Sequence, residues 1–164
     1  MNAQQLHDHI IKPTLEYMAG NYYSKDAAFL LLCTAAIESN CGEYIKQIGG
    51  PALGAFQMEP DTYNDIIDNC DAINENNIKF YNKIHKLWGF DNYGVVHALI
   101  SHPMYACAMA RLKYSMDEAP LPERNDIKAV YKYYKRIYNT PLGASTYEKF
   151  LSALASNRIN DVEL

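Results

Sequence analysis

Glu38 is the residue whose type and surroundings most clearly suggest chemistry. It comes at the end of an apolar run, Leu30-Leu-Leu-Cys-Thr-Ala-Ala-Ile-Glu-Ser39, that is predicted to be helical. Partial burial and the negative end of the helix dipole both disfavour a charged carboxyl group there, so both raise its pKa. A carboxyl that is protonated near neutral pH can act as a general acid and later as a base. From position alone, an exposed glutamate at a helix end is the simpler interpretation.

A glycine-rich segment follows this helix and ends in a possible ligand-binding pair. Gly49, Gly50 and Gly54 allow the backbone to approach a ligand closely, and Gln57 and Met58 place an amide beside a thioether. The amide of Gln57 is suited to hydrogen-bond the acetamido or hydroxyl groups of a sugar. The alternative is a turn-rich loop between two helices.

Three motifs in this order resemble those of the lytic transglycosylases and goose-type lysozymes, which cut the glycan of peptidoglycan. Glu38-Ser39 resembles the Glu-Ser pair that closes the catalytic helix of that group, and Gly54-Ala-Phe-Gln-Met-Glu-Pro-Asp-Thr62 is similar to its Gly-Leu-Met-Gln-x-x-Pro-x-Thr. Tyr138-Asn-Thr-Pro-Leu-Gly143 resembles Tyr-Asn-Ala-Gly-x-Gly, with Thr-Pro in place of Ala-Gly. The stretch from Ile48 to Pro60 is most similar to phage-encoded members.

The resemblance implies roles for individual residues. Glu38 would protonate the oxygen of the β-1,4 bond between N-acetylmuramic acid and N-acetylglucosamine, as general acid and then base. The muramic 6-hydroxyl would then attack its own anomeric carbon and leave a 1,6-anhydro end. Tyr138 would orient Glu38 or stack on a sugar, although Tyr134 and Tyr131 are alternatives for this aromatic position. The implied substrate-binding residues are Ser39, beside the muramic acetamido group, with Gly54, Gln57, the backbone of Met58, Tyr138 and Asn139.

Three acidic residues near the motifs decide between a lytic and a hydrolytic mechanism. An inverting hydrolase needs a second carboxylate that activates water on the opposite face of the sugar. Glu43 follows Gly42 in a predicted loop, and Glu59 and Asp61 begin a helix, where carboxylates are favoured as caps. We therefore expect no dedicated base, and a lytic transglycosylase rather than a water-using lysozyme.

The charge of the chain gives little support to nucleic-acid binding. The 15 basic and 19 acidic residues leave a net charge of −4 with neutral histidines. One predicted helix alternates basic and aromatic residues, a pattern that could bind nucleic acid but is more typical of a solvated helix face with a tyrosine seam. The residues concerned are Lys128, Lys132, Lys135 and Arg136, with Tyr131, Tyr133, Tyr134 and Tyr138.

Cysteine and histidine spacing predicts neither a metal site nor a cofactor. No Cys-x-x-Cys pair is present, and the spacing of His7 and His9 puts these two side chains on different faces of a helix. The remaining histidines, His85, His97 and His102, are scattered. The four cysteines are predicted to be free core thiols: Cys33, Cys41, Cys70 and Cys107.

The elements that must position these residues are predicted to be helices. Ser24 is a good N-cap for a buried helix over Lys25–Ser39, and Asn40 to Gly42 suit its left-handed end. We expect a mainly α chain forming a single lysozyme-like domain over 1–164, with a short hairpin or an irregular loop at 43–58. The first predicted helix runs from Leu6 to Met18, with a bend at Pro13 and a stop at Gly20. The other predicted helices are Pro60–Cys70, Asn74–Trp88, Val95–Tyr114 with an interruption near Pro103, Asp126–Tyr138 and Ser145–Asn157.

The amino-terminal sequence lacks a basic segment followed by an apolar one, so no secretory signal is predicted, and no apolar stretch reaches the ~20 residues of a membrane span. We expect synthesis in a host cytoplasm and action on the glycan strand at the cell wall, with a holin or virion proteins providing access. The competing class is a non-catalytic lysozyme-like virion protein for binding or assembly.

Overall fold

The computed structural model describes residues 1–18, 21–74, 92–140 and 143–164, and it is mainly helical, as predicted. No strand occurs in these ranges. Most of the predicted helix Asn74–Trp88, with His85 and Trp88, lies outside the described residues, as do Gly20, Pro141 and Leu142. The α-helices are α1 (Ala3–Leu6), α2 (Lys12–Tyr17), α3 (Lys25–Ser39), α4 (Pro60–Asn69), α5 (Asp71–Asn74), α6 (Asn92–Ser101), α7 (Pro103–Ser115), α8 (Ile127–Tyr134) and α9 (Tyr147–Ser156).

Helix α3 lies at the centre of the core, and its ends are formed as the sequence predicts. The Ser24 hydroxyl accepts a hydrogen bond from the Ala27 N–H at 3.0 Å and caps the first turn. Every residue from 27 to 36 is buried, which explains why the helix is apolar on all faces. Asn40 has φ of 53° and stops the helix in the left-handed conformation. Glu38 is thereby fixed in the last turn of a buried helix.

Two π-helical turns interrupt the regular helices. One, His7–Ile11, joins α1 to α2 and ends two residues before Pro13, where a bend is predicted. The other, Lys135–Asn139, continues α8. Single π-helical turns occur often at functional sites because they redirect side chains on a helix. The second turn carries Asn139 and follows Tyr134.

The segment 43–58 is an irregular loop, one of the two forms predicted for it. Isolated antiparallel bridges join Lys46 to Leu53 and Leu53 to Met58, without a continuous ladder. The loop is held against α6 at Gly54, where a Cβ atom would lie 2.1 Å from the backbone oxygen of Leu99. A glycine is therefore required for this close approach.

The basic and aromatic helix turns its aromatic side towards the core. Tyr133 and Tyr134 are buried, whereas Lys128 and Lys132 are exposed. Arg136 forms a two-bonded ion pair with Asp117, with both N–O distances at 2.8 Å. The alternation is thus that of an amphipathic helix packed on a core, the interpretation that its sequence favours.

All four cysteines are buried and free, as predicted. Burial raises the pKa of Cys107 to about 12 and that of Cys41 to about 11. They belong to a hydrophobic core whose members range from Ala3 to Ile159. Within the described ranges, no helix combines the length and the apolar character needed to cross a membrane.

Candidate active site

A groove with a volume of about 590 Å³ opens beside the end of α3. Five of the sequence-predicted site residues line it: Glu38, Gln57, Met58, Tyr138 and Asn139. The rest of its wall comes from α3, the loop 43–58, the start of α4, the end of α8, and the segment from the second π-helical turn into α9. The additional lining residues are Ile37, Gln47, Ala52, Glu59, Thr62, Tyr134, Thr140, Gly143, Ala144, Ser145 and Lys149.

Glu38 is held in this groove by a short hydrogen bond. The Tyr134 hydroxyl donates to Oε1 of Glu38 at 2.6 Å. Burial is the main cause that raises the pKa of Glu38, and the negative charge of Glu59 raises it further. Side-chain interactions with Tyr134 and Asn139 lower this pKa, as does the positive charge of Lys135. Glu38 therefore has the raised pKa that general acid catalysis requires.

Of the three tyrosines considered for the position beside Glu38, Tyr134 is the one that contacts it. The Tyr138 hydroxyl instead donates to the backbone oxygen of Phe56 at 2.9 Å, and its ring stacks on Tyr114 with 5.4 Å between centroids. The Tyr131 hydroxyl donates to the backbone oxygen of Ser145 at 3.4 Å. Tyr138 thus joins the π-helical turn to the loop, while Tyr134 orients the carboxyl.

Gln57 lines the groove, and its amide nitrogen is bonded to the backbone of the loop. Nε2 donates to the backbone oxygens of Gly54 at 2.8 Å and Tyr44 at 3.2 Å. The residue has φ of 45°, an uncommon value for a side chain larger than glycine. Such local strain is often found at ligand-binding sites. The amide oxygen of Gln57 can accept a hydrogen bond from a hydroxyl or an amide N–H of a ligand.

Met58 lines the groove, and its backbone is paired within the loop. Its N–H and C=O both pair with Leu53, each at 2.9 Å, in one of the isolated bridges. Its side chain is buried and provides an apolar surface.

Ser39 and Gly54 are not among the residues that line the groove, and their predicted contacts with substrate stay a prediction. The Ser39 hydroxyl donates to the backbone oxygens of Ala35 and Ala55 and accepts from the Gly42 N–H at 2.8 Å. Ser39 is buried. Ser39 joins the loop to α3, and Gly54 lies against Leu99 of α6. These contacts give Ser39 and Gly54 a structural role.

Asn139 lies beside Glu38 and is held by two donors. Its Oδ1 accepts from Nζ of Lys135 at 2.7 Å and from the hydroxyl of Ser145 at 2.9 Å. Nζ of Lys135 also donates to the backbone oxygen of Gly143 at 2.6 Å. The structure thus places Asn139 at the site, in a network that the sequence motif did not include.

Glu59 is a second carboxylate on the groove, a role that the sequence interpretation missed. It occupies the N-cap position of α4 but makes no capping hydrogen bond, contrary to the interpretation of this residue as a cap. Glu43 and Asp61 are absent from the groove lining. The sequence contains a signal for this, because Glu59 comes directly after Met58 and two positions after Gln57.

The described residues contain no group of three or more His, Cys, Asp or Glu side chains arranged to hold a metal ion. His7 is buried, with its Nδ1 2.7 Å from Oδ1 of Asp8, and His9 and His97 are exposed.

Comparisons of the chain with protein-family models, curated proteins and solved structures find no match in any of the three.

Proposed function

We propose that this protein cleaves the β-1,4 bond between N-acetylmuramic acid and N-acetylglucosamine in peptidoglycan, as a lytic transglycosylase of lysozyme-like fold. The observation that carries the proposal is the environment of Glu38, a partly buried carboxyl with a raised pKa that lies at an open groove and accepts a hydrogen bond from Tyr134. The motif resemblance supplies the substrate class.

In the proposed reaction, Glu38 gives its proton to the glycosidic oxygen while the bond from that oxygen to the anomeric carbon breaks. The neighbouring acetamido group carries part of the positive charge that develops. The muramic 6-hydroxyl then bonds to the anomeric carbon, and its proton returns to the Glu38 carboxylate. The products are a free 4-hydroxyl and a 1,6-anhydro end, and no water is consumed.

A second candidate, a water-using lysozyme of the goose type, is favoured by one observation. Glu59 lines the same groove, and its charge acts on Glu38. A carboxylate opposite the general acid can take a proton from water as that water attacks the anomeric carbon. In that reaction Glu59 would be the base and the product would carry one additional water.

The proposal is tested by clearing of purified peptidoglycan, with the products identified by mass spectrometry. Glu38→Gln keeps the shape of the side chain but cannot donate the proton, so we expect at least about a 100-fold loss of rate with the fold retained. Glu16→Gln, an exposed carboxyl on α2, is the matched control and should keep the wild-type rate.

An unchanged rate in Glu38→Gln would remove the catalytic role of Glu38. Failure of the wild type to clear several wall types would instead favour a non-catalytic binding protein. Ends with 1,6-anhydromuramic acid support the lytic reaction. Hydrated ends, together with a large rate loss in Glu59→Gln, would establish the lysozyme.

A further inference from the structure

The orientation of the Asn139 side chain is determined by a lysine. Asn139 Oδ1 accepts from Nζ of Lys135 at 2.7 Å. An ammonium group has three donors and no acceptor, so only the oxygen end of the amide can face it. The hydroxyl of Ser145, 2.9 Å from the same atom, can donate or accept and so does not distinguish the two ends. Lys135 therefore directs the amide nitrogen of Asn139 away from itself.

The local backbone holds Lys135 and Asn139 close together. Lys135 and Asn139 are the first and last residues of the π-helical turn. Nζ of Lys135 is also bonded to the backbone oxygen of Gly143 at 2.6 Å, which brings the following segment against the turn. A Cβ atom at Gly143 would lie 2.2 Å from both the backbone oxygen and Oδ1 of Asn139, so this approach requires glycine.

We propose that Lys135 is a positioning residue, which fixes the amide of Asn139 so that its nitrogen is directed into the groove that Asn139 and Glu38 both line. The proposal rests on the proposed function for its catalytic consequence, but the geometry can be tested separately. Lys135 does not line the groove, so it acts on Glu38 through Asn139 and through its own charge rather than on the substrate.

Removing Lys135 has a defined electrostatic direction. Its charge and the interaction with Asn139 both lower the pKa of Glu38, so loss of the lysine should raise that pKa. Tyr134 and Glu59 also face the carboxyl, the first lowering and the second raising its pKa. Because Lys135→Met leaves both of these in place, a change in titration reports on the lysine.

The buried hydroxyls of Tyr114 and Tyr138 interact electrostatically with Glu38, and burial raises the pKa of each well above its usual value. Both tyrosines therefore stay neutral when Glu38 titrates.

The experiment titrates the Glu38 carboxyl by ¹³C NMR in the full-length wild type, Lys135→Met, Lys135→Arg and Lys132→Met. Glu38→Gln assigns the resonance. Lys132 is exposed on the preceding helical turn and serves as the matched control. We expect a higher Glu38 pKa in Lys135→Met and wild-type titration in Lys132→Met. Lys135→Arg keeps a side chain with donors only and should restore the titration towards wild type.

Kinetics on peptidoglycan add the catalytic consequence. In Lys135→Met, kcat should fall about tenfold with KM changed by less than about twofold, because the substrate-contacting groups are intact. The fall in activity at high pH should move to higher pH, since the general acid keeps its proton longer. If Lys135→Met does not fold, Lys135→Gln replaces it with the same expectations.

An unchanged Glu38 pKa in the Lys135 variant, or an equal change in Lys132→Met, would overturn the positioning role. A wild type without activity on glycan would contradict the proposed function and not this inference, because the NMR titration needs no substrate.

Discussion

The protonation of Glu38 results from opposing contributions by neighbouring side chains. Burial and the charge of Glu59 favour the neutral acid, whereas Tyr134, Asn139 and Lys135 favour the carboxylate. A general acid needs a pKa close to the working pH, so that it is protonated before the reaction and can give its proton up. Each neighbour therefore raises or lowers the pKa of Glu38, and its replacement should shift the pH profile of activity in a defined direction.

Replacement of Glu59 tests the repulsive contribution. In Glu59→Gln the negative charge beside Glu38 is lost, so the pKa of Glu38 falls and the acid form is lost at lower pH. The decline of kcat/KM on the alkaline side should consequently move to lower pH, as measured by clearing rates between about pH 4 and 8. Asp61→Asn removes an equal charge from a residue outside the groove lining and should leave the profile in place. A profile that does not move in Glu59→Gln would contradict the electrostatic role of Glu59.

Replacement of Tyr134 tests the hydrogen bond to Glu38. Tyr134→Phe removes the donor at 2.6 Å, so the carboxyl loses both orientation and a group that stabilises its charged form. We expect about a tenfold lower kcat and an alkaline decline at higher pH, the opposite direction to Glu59→Gln. Tyr133→Phe, whose hydroxyl donates to the backbone oxygen of Tyr114 at 3.3 Å, is the control on the same helix. Equal profiles for both variants would show that Tyr134 does not act on Glu38.

At this scale the sequence predicts the acid better than its surroundings. Glu38 is recognisable because a carboxyl at the end of an apolar helix is unusual. Ser39 shares its motif but faces the loop, because the direction of a hydroxyl depends on which backbone oxygens are near it in three dimensions. Glu59 was interpreted as a cap because its position before Pro60 is typical of one, yet its side chain makes no capping bond.

At the scale of elements, the loop 43–58 is a wall that depends on a helix remote in sequence. Gly54 has φ of 77° and lies against the backbone oxygen of Leu99 in α6. The same residue receives support from the Ile45 carbonyl, to which its N–H donates at 2.8 Å. Placement of Gln57 three residues later follows from this contact.

Substitution of Gly54 should therefore be more damaging than that of another glycine in the same loop. Gly54→Ala combines a positive φ with a backbone clash at 2.1 Å and should lower the free energy of unfolding by about 3 kcal/mol. Gly49→Ala has φ of 74° but no atom within 4 Å of the added Cβ, so it should cost only about 1 kcal/mol. Urea denaturation measures both. Equal losses would show that the approach to Leu99 is not the constraint.

The elements themselves are mostly foreseen by local signals. The cap at Ser24 and the left-handed end at Asn40 give the limits of α3, because these signals lie within a few residues of the helix. The π-helical turns are not foreseen, since apolar spacing does not distinguish a hydrogen bond to the fourth residue from one to the fifth. The network around Asn139 depends on that distinction, and so was missed with it.

At the scale of the whole molecule, the core contains its thiols without using them for crosslinks. Burial raises the pKa of Cys33 well above its usual value, and it also raises the pKa values of Cys41 and Cys107. Thiolate is the reactive form, so these groups should be inert in the folded protein. The four thiols therefore contribute to stability through apolar packing in the core.

A thiol reagent distinguishes this arrangement from hidden disulfides. In the native protein at pH 8, we expect less than about one equivalent of thiol per chain to react within minutes, because all four cysteines are buried. After denaturation without a reductant, all four should react. A value below four under those conditions would reveal a disulfide and contradict the packing described above.

The site is attached to its surroundings largely through backbone oxygens. Tyr138 donates to that of Phe56, Ser39 to that of Ala55, and Lys135 to that of Gly143. Every amino acid supplies a carbonyl oxygen, so the accepting positions are not restricted by hydrogen bonding to any side-chain type. Apart from Gly143, whose close approach to Asn139 requires glycine, substitutions at the acceptors would thus leave these hydrogen bonds intact, whereas each donor has few replacements. A library that randomises donors and acceptors separately should retain far more active clones in the acceptor set, apart from positions restricted by packing or by backbone conformation.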